Sequence, residues 1–182
     1  MTIKQFNATY SAHDDRVLFR FNTVEDTEFR FWFTRRVSLF ILAATAHLIA
    51  KNLEQTHSPE AAKAIVDFSK ESIQAEKGGQ GTNQVDAYQP ANNFPLGADS
   101  LLVMDVKCAL EKQAHEDVLS LDLVLPGGAN INLKMAGQTL HAMCALLNQL
   151  REHAAWGRVP QVQNVIAPAT PVADMSKKQL FH

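Results

Sequence analysis

Arg16, Arg20, Arg30 and Trp32 fall at even positions of two segments whose odd positions, Val17, Phe19 and Phe21 in the first and Phe29, Phe31 and Phe33 in the second, are all apolar. Alternation with period two marks half-buried strands. These four side chains are therefore expected on one uncovered face of a hairpin, with Arg35 and Arg36 at its end. Guanidinium groups beside an aromatic ring on an open sheet offer what single-stranded nucleic acid uses: bases stack on the ring and phosphates meet the cations. The spacing predicts a three-residue loop with Arg20 opposite Trp32. That pair would also be a cross-strand cation–π contact needing no ligand.

A second constellation occurs twice. His13 and Asp15 sit in one polar segment, His115 and Asp117 in another. Imidazole and carboxylate groups brought together from two turns are ligands for a divalent metal. The competing expectation is a strand-to-strand turn, where Asp is favoured for its hydrogen bonds to nearby backbone. No G-x-S-x-G elbow, P-loop, dinucleotide-binding glycine pattern or C-x-x-C pair is present, so nucleophilic catalysis finds little support and no cofactor is expected. Cys108 and Cys144 fall on the inward phase of a strand and the apolar side of a helix, as small buried hydrophobes.

The elements that would hold these groups form a repeat. Residues 12–48 lie on 114–150 without a gap, at a constant offset of 102 residues, so that Asp15 falls on Asp117, Phe19 on Leu121 and Phe31 on Leu133. A shared pattern of this length reports a structural unit used twice. In each copy two alternating strands follow a further strand, 3–10 or 101–111, and precede a helical pattern, about 34–54 or 138–153. Parity requires an odd-numbered loop in each hairpin. Gly127, Gly128 and Ala129 meet this in the second, with Gly128 left-handed and Asp26 as its counterpart in the first.

The expected fold class is α+β: duplicated β-β-β-α units over 1–55 and 98–156, with antiparallel sheets covered by helices on one face. Between them, over 56–97, Ser58 and Pro59 open a helix expected to run to residue 77. A loop rich in Gly, Asn, Gln and Pro follows over 78–97. The tail, 157–182, is expected to be extended or disordered.

With 46% apolar and 20% charged residues and a net charge of −2, the chain reads as an ordinary globular protein with no global attraction to polyanions. The two cysteines and the lack of a secretory leader point to a cytoplasmic setting. The apolar run 37–50 is too short to span a bilayer, so no membrane insertion is expected. Its nearly all-round apolar surface predicts a second cover, from another helix or from a second copy; a homodimer is favoured among oligomers.

The order β-β-β-α, twice, resembles the duplicated modules of the Whirly and Pur-alpha single-stranded nucleic-acid-binding proteins over about residues 1–156. That resemblance implies a sheet-borne nucleic-acid site. The ending Gln179-Leu180-Phe181 is similar over three residues to bacterial sliding-clamp-binding peptides, which implies docking of Leu180 and Phe181 in a protein partner's groove. Two classes stay open: a non-enzymatic binding or assembly protein using the Arg20/Trp32 face, and a metal-assisted enzyme using the His13 and His115 turns.

Overall fold

A computed structural model describes residues 2–54, 57–58, 60–61, 64, 87–112 and 117–160. The first antiparallel run comprises β1 (Ile3–Ser11), β2 (Arg16–Thr23) and β3 (Glu28–Thr34), followed by helix α1 (Arg35–Glu54). The second comprises β5 (Asp105–Lys112), β6 (Asp117–Val124) and β7 (Asn130–Ala136), followed by α2 (Gly137–His153). A short β4 (Leu101–Leu102) lies parallel to β3 and makes the first sheet four-stranded, in the order β1-β2-β3-β4; the second sheet is β5-β6-β7. The fold is α+β, with antiparallel sheets and two helices.

Alternation decides which way each strand faces. Val17, Phe19, Phe21, Phe31 and Phe33 are buried in the first sheet, and Leu119, Leu121, Leu123, Leu133 and Met135 in the second. These residues join one core with Ile41 and Leu48 of α1 and Met143 and Leu147 of α2. The benzyl rings stack within the sheet: Phe21 lies 5.1 Å from Phe29, its direct cross-strand partner, and Phe19 lies 5.0 Å from Phe33. Such contacts add about 0.5–1.5 kcal/mol each beyond the area buried.

The helices exchange cover between the two sheets. Helix α1 lies against β5 as well as β3, and α2 against β1 as well as β7, and the helices touch each other. Val37, Ile41, Leu42, Ala43, Ala44 and Leu48 of α1 are thereby buried within the chain. The second cover expected for α1 is thus supplied by the other sheet and α2. Among the described residues no helix is long and apolar enough to cross a membrane.

Three expectations need correction. The strand expected over 101–111 is divided: β4 pairs with β3, whereas β5 pairs with β6. At the crossing, the Val103 amide donates to the Trp32 carbonyl at 3.0 Å and the Met104 amide to the Val124 carbonyl at 2.8 Å. One segment therefore stitches the two sheets together.

The hairpin loops have the expected three residues and parity, but each sits one residue earlier. Thr23 donates its amide to Thr27, enclosing residues 24–26, and Leu125 donates to Ala129, enclosing Pro126, Gly127 and Gly128. Asp26 and Gly128 do adopt positive φ, at 55° and 84°. They are the last residues of their loops rather than the middle ones, as in a turn closed by a bulge. Arg20 consequently faces Arg30, and Trp32 faces Leu18.

The 102-residue offset holds for both hairpins but not for the strands before them. Ala8 pairs with Phe19 and Cys108 with Leu121, so Cys108 is the positional counterpart of Ala8, at an offset of 100 residues instead of 102. Cys108 and Leu121 are 13 residues apart along the chain, whereas Ala8 and Phe19 are 11 apart, so the second pairing is shifted by two residues. Two is the strand period, so the facing of the strand is preserved.

Candidate nucleic-acid interface

The outward positions of β2 and β3 carry Arg16, Leu18, Arg20 and Asn22 beside Thr34, Trp32, Arg30 and Glu28, in that pairing order. The register thus brings Arg16, Arg20, Arg30 and Trp32 to one face. Arg16, Leu18 and Trp32 are each partly exposed. Leu102 of β4 pairs with Trp32 on its other side.

The half of this face nearest the β2–β3 turn is covered by the chain itself. Residues 87–98, comprising the described part of the loop expected over 78–97 and the residue after it, run across it as a strap. Arg20 lies 4.7 Å from the Tyr88 ring centroid and Arg30 lies 4.6 Å from that of Phe94. The rings on the guanidinium groups come from the strap, and Trp32 is partner to neither. Asn22 donates to the Gln89 carbonyl at 2.7 Å, and the Gln89 amide donates to Gln5 Oε1 at 3.2 Å. The Glu28 amide donates to the Asn93 carbonyl at 2.8 Å.

Glu28 explains why the strap seats there. Its side chain has no exposure; Oε1 accepts from Arg30 Nε at 2.6 Å and Oε2 from the Ala91 amide at 2.9 Å. A carboxylate buried this deeply is tolerable only when paired and hydrogen-bonded. Arg30 also donates to the Ala98 carbonyl at 3.1 Å. Arg20 donates Nε to Asn7 at 3.3 Å and meets no carboxylate among the described residues. Among the described residues the buried Tyr88 hydroxyl has no hydrogen-bond partner; burial, and then the Glu28 charge, push its pKa upward.

Arg35 and Arg36 open α1, next to Thr34, whose hydroxyl accepts from the Val37 amide at 3.3 Å as an N-cap. Cations at a helix N-terminus oppose the macrodipole, typically by about 0.3–1 kcal/mol each. Both are exposed. Arg35 donates to the Trp156 carbonyl at 2.9 Å; Arg36 donates to the Met104 carbonyl and lies 3.6 Å from Asp105.

The first His/carboxylate turn is a clasp. Asp15, at φ 48°, accepts on one oxygen from Trp156 Nε1 at 2.6 Å and from the Tyr10 hydroxyl at 2.9 Å. Those two bonds, with a smaller contribution from Arg35, hold its carboxyl below the usual carboxylate range. The Tyr10 ring meets Trp156 and His153 edge-on, at 5.6 and 5.9 Å. His13 is exposed in the same turn. Among the described residues no three His, Cys, Asp or Glu side chains gather where they could share a metal ion. His115, the Asp117 side chain, Leu180 and Phe181 lie outside the described residues.

Glu28, Tyr88, Phe94 and Trp156 were not among the expected site residues. Glu28 carries a trace of its role, an acid on the outward phase two positions before Arg30. Tyr88 and Phe94 are the aromatics of an otherwise polar stretch. The expectation that Ser58 caps a helix has a counterpart in the Ala61 amide, which donates to its hydroxyl at 3.3 Å; most of the helix expected after it lies outside the described residues. Comparison with protein-family models, with curated proteins and with solved structures finds no match for this chain.

Proposed function

We propose that this is a non-enzymatic binding protein that takes single-stranded nucleic acid on the outer face of its first sheet. The observation that carries the reading is the register. It sets Arg16, Arg20 and Arg30 on the face that holds Trp32, with the one carboxylate on those paired positions, Glu28, buried and committed. Arg16, Leu18, Arg20, Arg30 and Trp32 are each partly exposed, and Arg35 and Arg36 extend the positive charge at the end nearest Arg16. A half-exposed indole offers a stacking surface that tolerates any base, and the guanidinium groups meet phosphates.

A net charge of −2 makes this attraction local, so binding is expected to be modest and strongly salt-dependent. Homodimer formation, expected from the apolar surface of α1, has less to use: Val24 and Met104 are the large apolar side chains left exposed among the described residues. Asp15 is spent on Tyr10 and Trp156, so no specific observation favours the metal-assisted alternative. Titrating a labelled mixed-sequence DNA oligonucleotide with the protein at low and moderate salt tests the proposal. Saturable binding that weakens with salt and with Trp32→Ala supports it, and no binding at low salt overturns it.

A further inference from the structure

The strap holds Arg20 and Arg30 by the same two kinds of contact that a single strand of nucleic acid would bring. Flat rings, Tyr88 and Phe94, lie on the two guanidinium groups at 4.7 and 4.6 Å. An oxygen acceptor, the Ala98 carbonyl, meets an Arg30 N–H at 3.1 Å. A base supplies the first contact and a phosphate the second. We infer that residues 87–98 are an autoinhibitory strap, an internal stand-in for single-stranded nucleic acid that a bound strand displaces from Arg20 and Arg30. This rests on the binding function proposed above and adds its regulation.

Three features of the strap suit it to exchange. Its grip on the sheet is mostly polar: Gln89 to Gln5 and Asn22, Asn92 to Asp26, Ala91 to Glu28. Ala91 is its buried apolar residue, with Leu96 packed at the edge of the core. Hydrogen bonds that trade for water on release contribute little net free energy each, so a competing polyanion has a small deficit to overcome. Its regular pairing with the sheet is a single bridge, Thr27 to Asn93, so release breaks no extended ladder. Finally, Arg20 and Arg30 are direct cross-strand partners, a like-charge pair that costs energy. Glu28 neutralises Arg30 alone, whereas a phosphate chain would neutralise both.

The test compares the wild-type chain with Tyr88→Ala/Phe94→Ala, using a labelled mixed-sequence single-stranded DNA oligonucleotide. The double variant is expected to bind several-fold more tightly. Its log K against log salt should keep the wild-type slope, because the bound strand meets the same guanidinium groups in both chains and the variant only removes the competing strap. Affinity that is unchanged or weaker overturns the inference; the weaker result would make the two rings part of the binding surface. Amide exchange on the wild-type chain gives a second readout that does not depend on the variant folding. The Glu28, Ala91 and Asn93 amides, which the strap contacts protect, should exchange faster when the oligonucleotide is bound, and protection retained at saturation overturns the inference. Wild-type binding that responds to Trp32→Ala but not to the strap changes sinks the strap alone; absence of binding by either chain sinks both readings.

Discussion

Arg20 stands directly opposite Arg30 across β2 and β3, and the surroundings of this pair account for most of the chemistry on the first sheet. Two cations in register repel. The fold answers with one buried carboxylate, two ring faces and a backbone carbonyl. The two ends of the ion pair are unequal: the Glu28 side chain has no exposure, whereas that of Arg30 retains 27%. Arg30→Ala strands a buried carboxylate and is expected to cost about 3–5 kcal/mol. Glu28→Ala leaves a cation that can reach water and should cost less. Urea denaturation of both variants checks the order, and an equal or reversed loss would contradict the assigned burial.

Phe31 is fully buried between β2 and the parallel β4. Truncation to Ala is expected to destabilise the chain by about 3–5 kcal/mol. A denaturation midpoint that does not move would show that the inward phase of β3 is misassigned.

The Asp15 clasp makes a pH-dependent contribution. Hydrogen bonds from Trp156 first and Tyr10 second lower its pKa from 3.8 in the folded chain. A lowered carboxylate contributes stability that is fully present above the unfolded value and is lost as pH falls through the folded one. The stability difference between wild type and Asp15→Asn should therefore shrink between pH 5 and pH 2. Urea midpoints across that range test it, and a constant difference would show that the carboxylate charge plays no part in the clasp.

The two thiols should be slow. Burial pushes Cys108 up to about 12 and Cys144 up to about 11, and it is the thiolate that reacts. Iodoacetamide at pH 8 is expected to label the native chain far more slowly than the chain in urea. Equal rates would place at least one thiol at the surface.

Much of this arrangement was legible in the sequence because water on one side of a sheet imposes a local rule. The phenylalanines at odd positions declared the inward face, and Asp26 and Gly128 declared where the chain turns left-handed. The register was harder: centring the loop on its left-handed residue instead of ending it there moved Arg20 from Arg30 to Trp32. The division of 101–111 was not readable, because apolar residues either side of Val103 look alike whichever sheet they join. The strap was invisible for a related reason. Its ring-on-guanidinium contacts join Tyr88 and Phe94 to arginines more than sixty residues away, in a segment with no periodicity to betray a covered face. Trp156 closes the second unit beyond the helical pattern, and no local spacing announces that Asp15 and Tyr10 bind it into the core.

The central claim is that the outer face of the first sheet binds single-stranded nucleic acid, and fluorescence anisotropy of a labelled mixed-sequence oligonucleotide tests it most directly. It leaves Trp156, and with it the Asp15 clasp, untouched. Expected at low salt is saturable binding that weakens as salt rises, and a loss with Trp32→Ala equivalent to about 1–3 kcal/mol of stacking. No anisotropy change at low salt, or a Trp32→Ala curve that overlays the wild type, would contradict it.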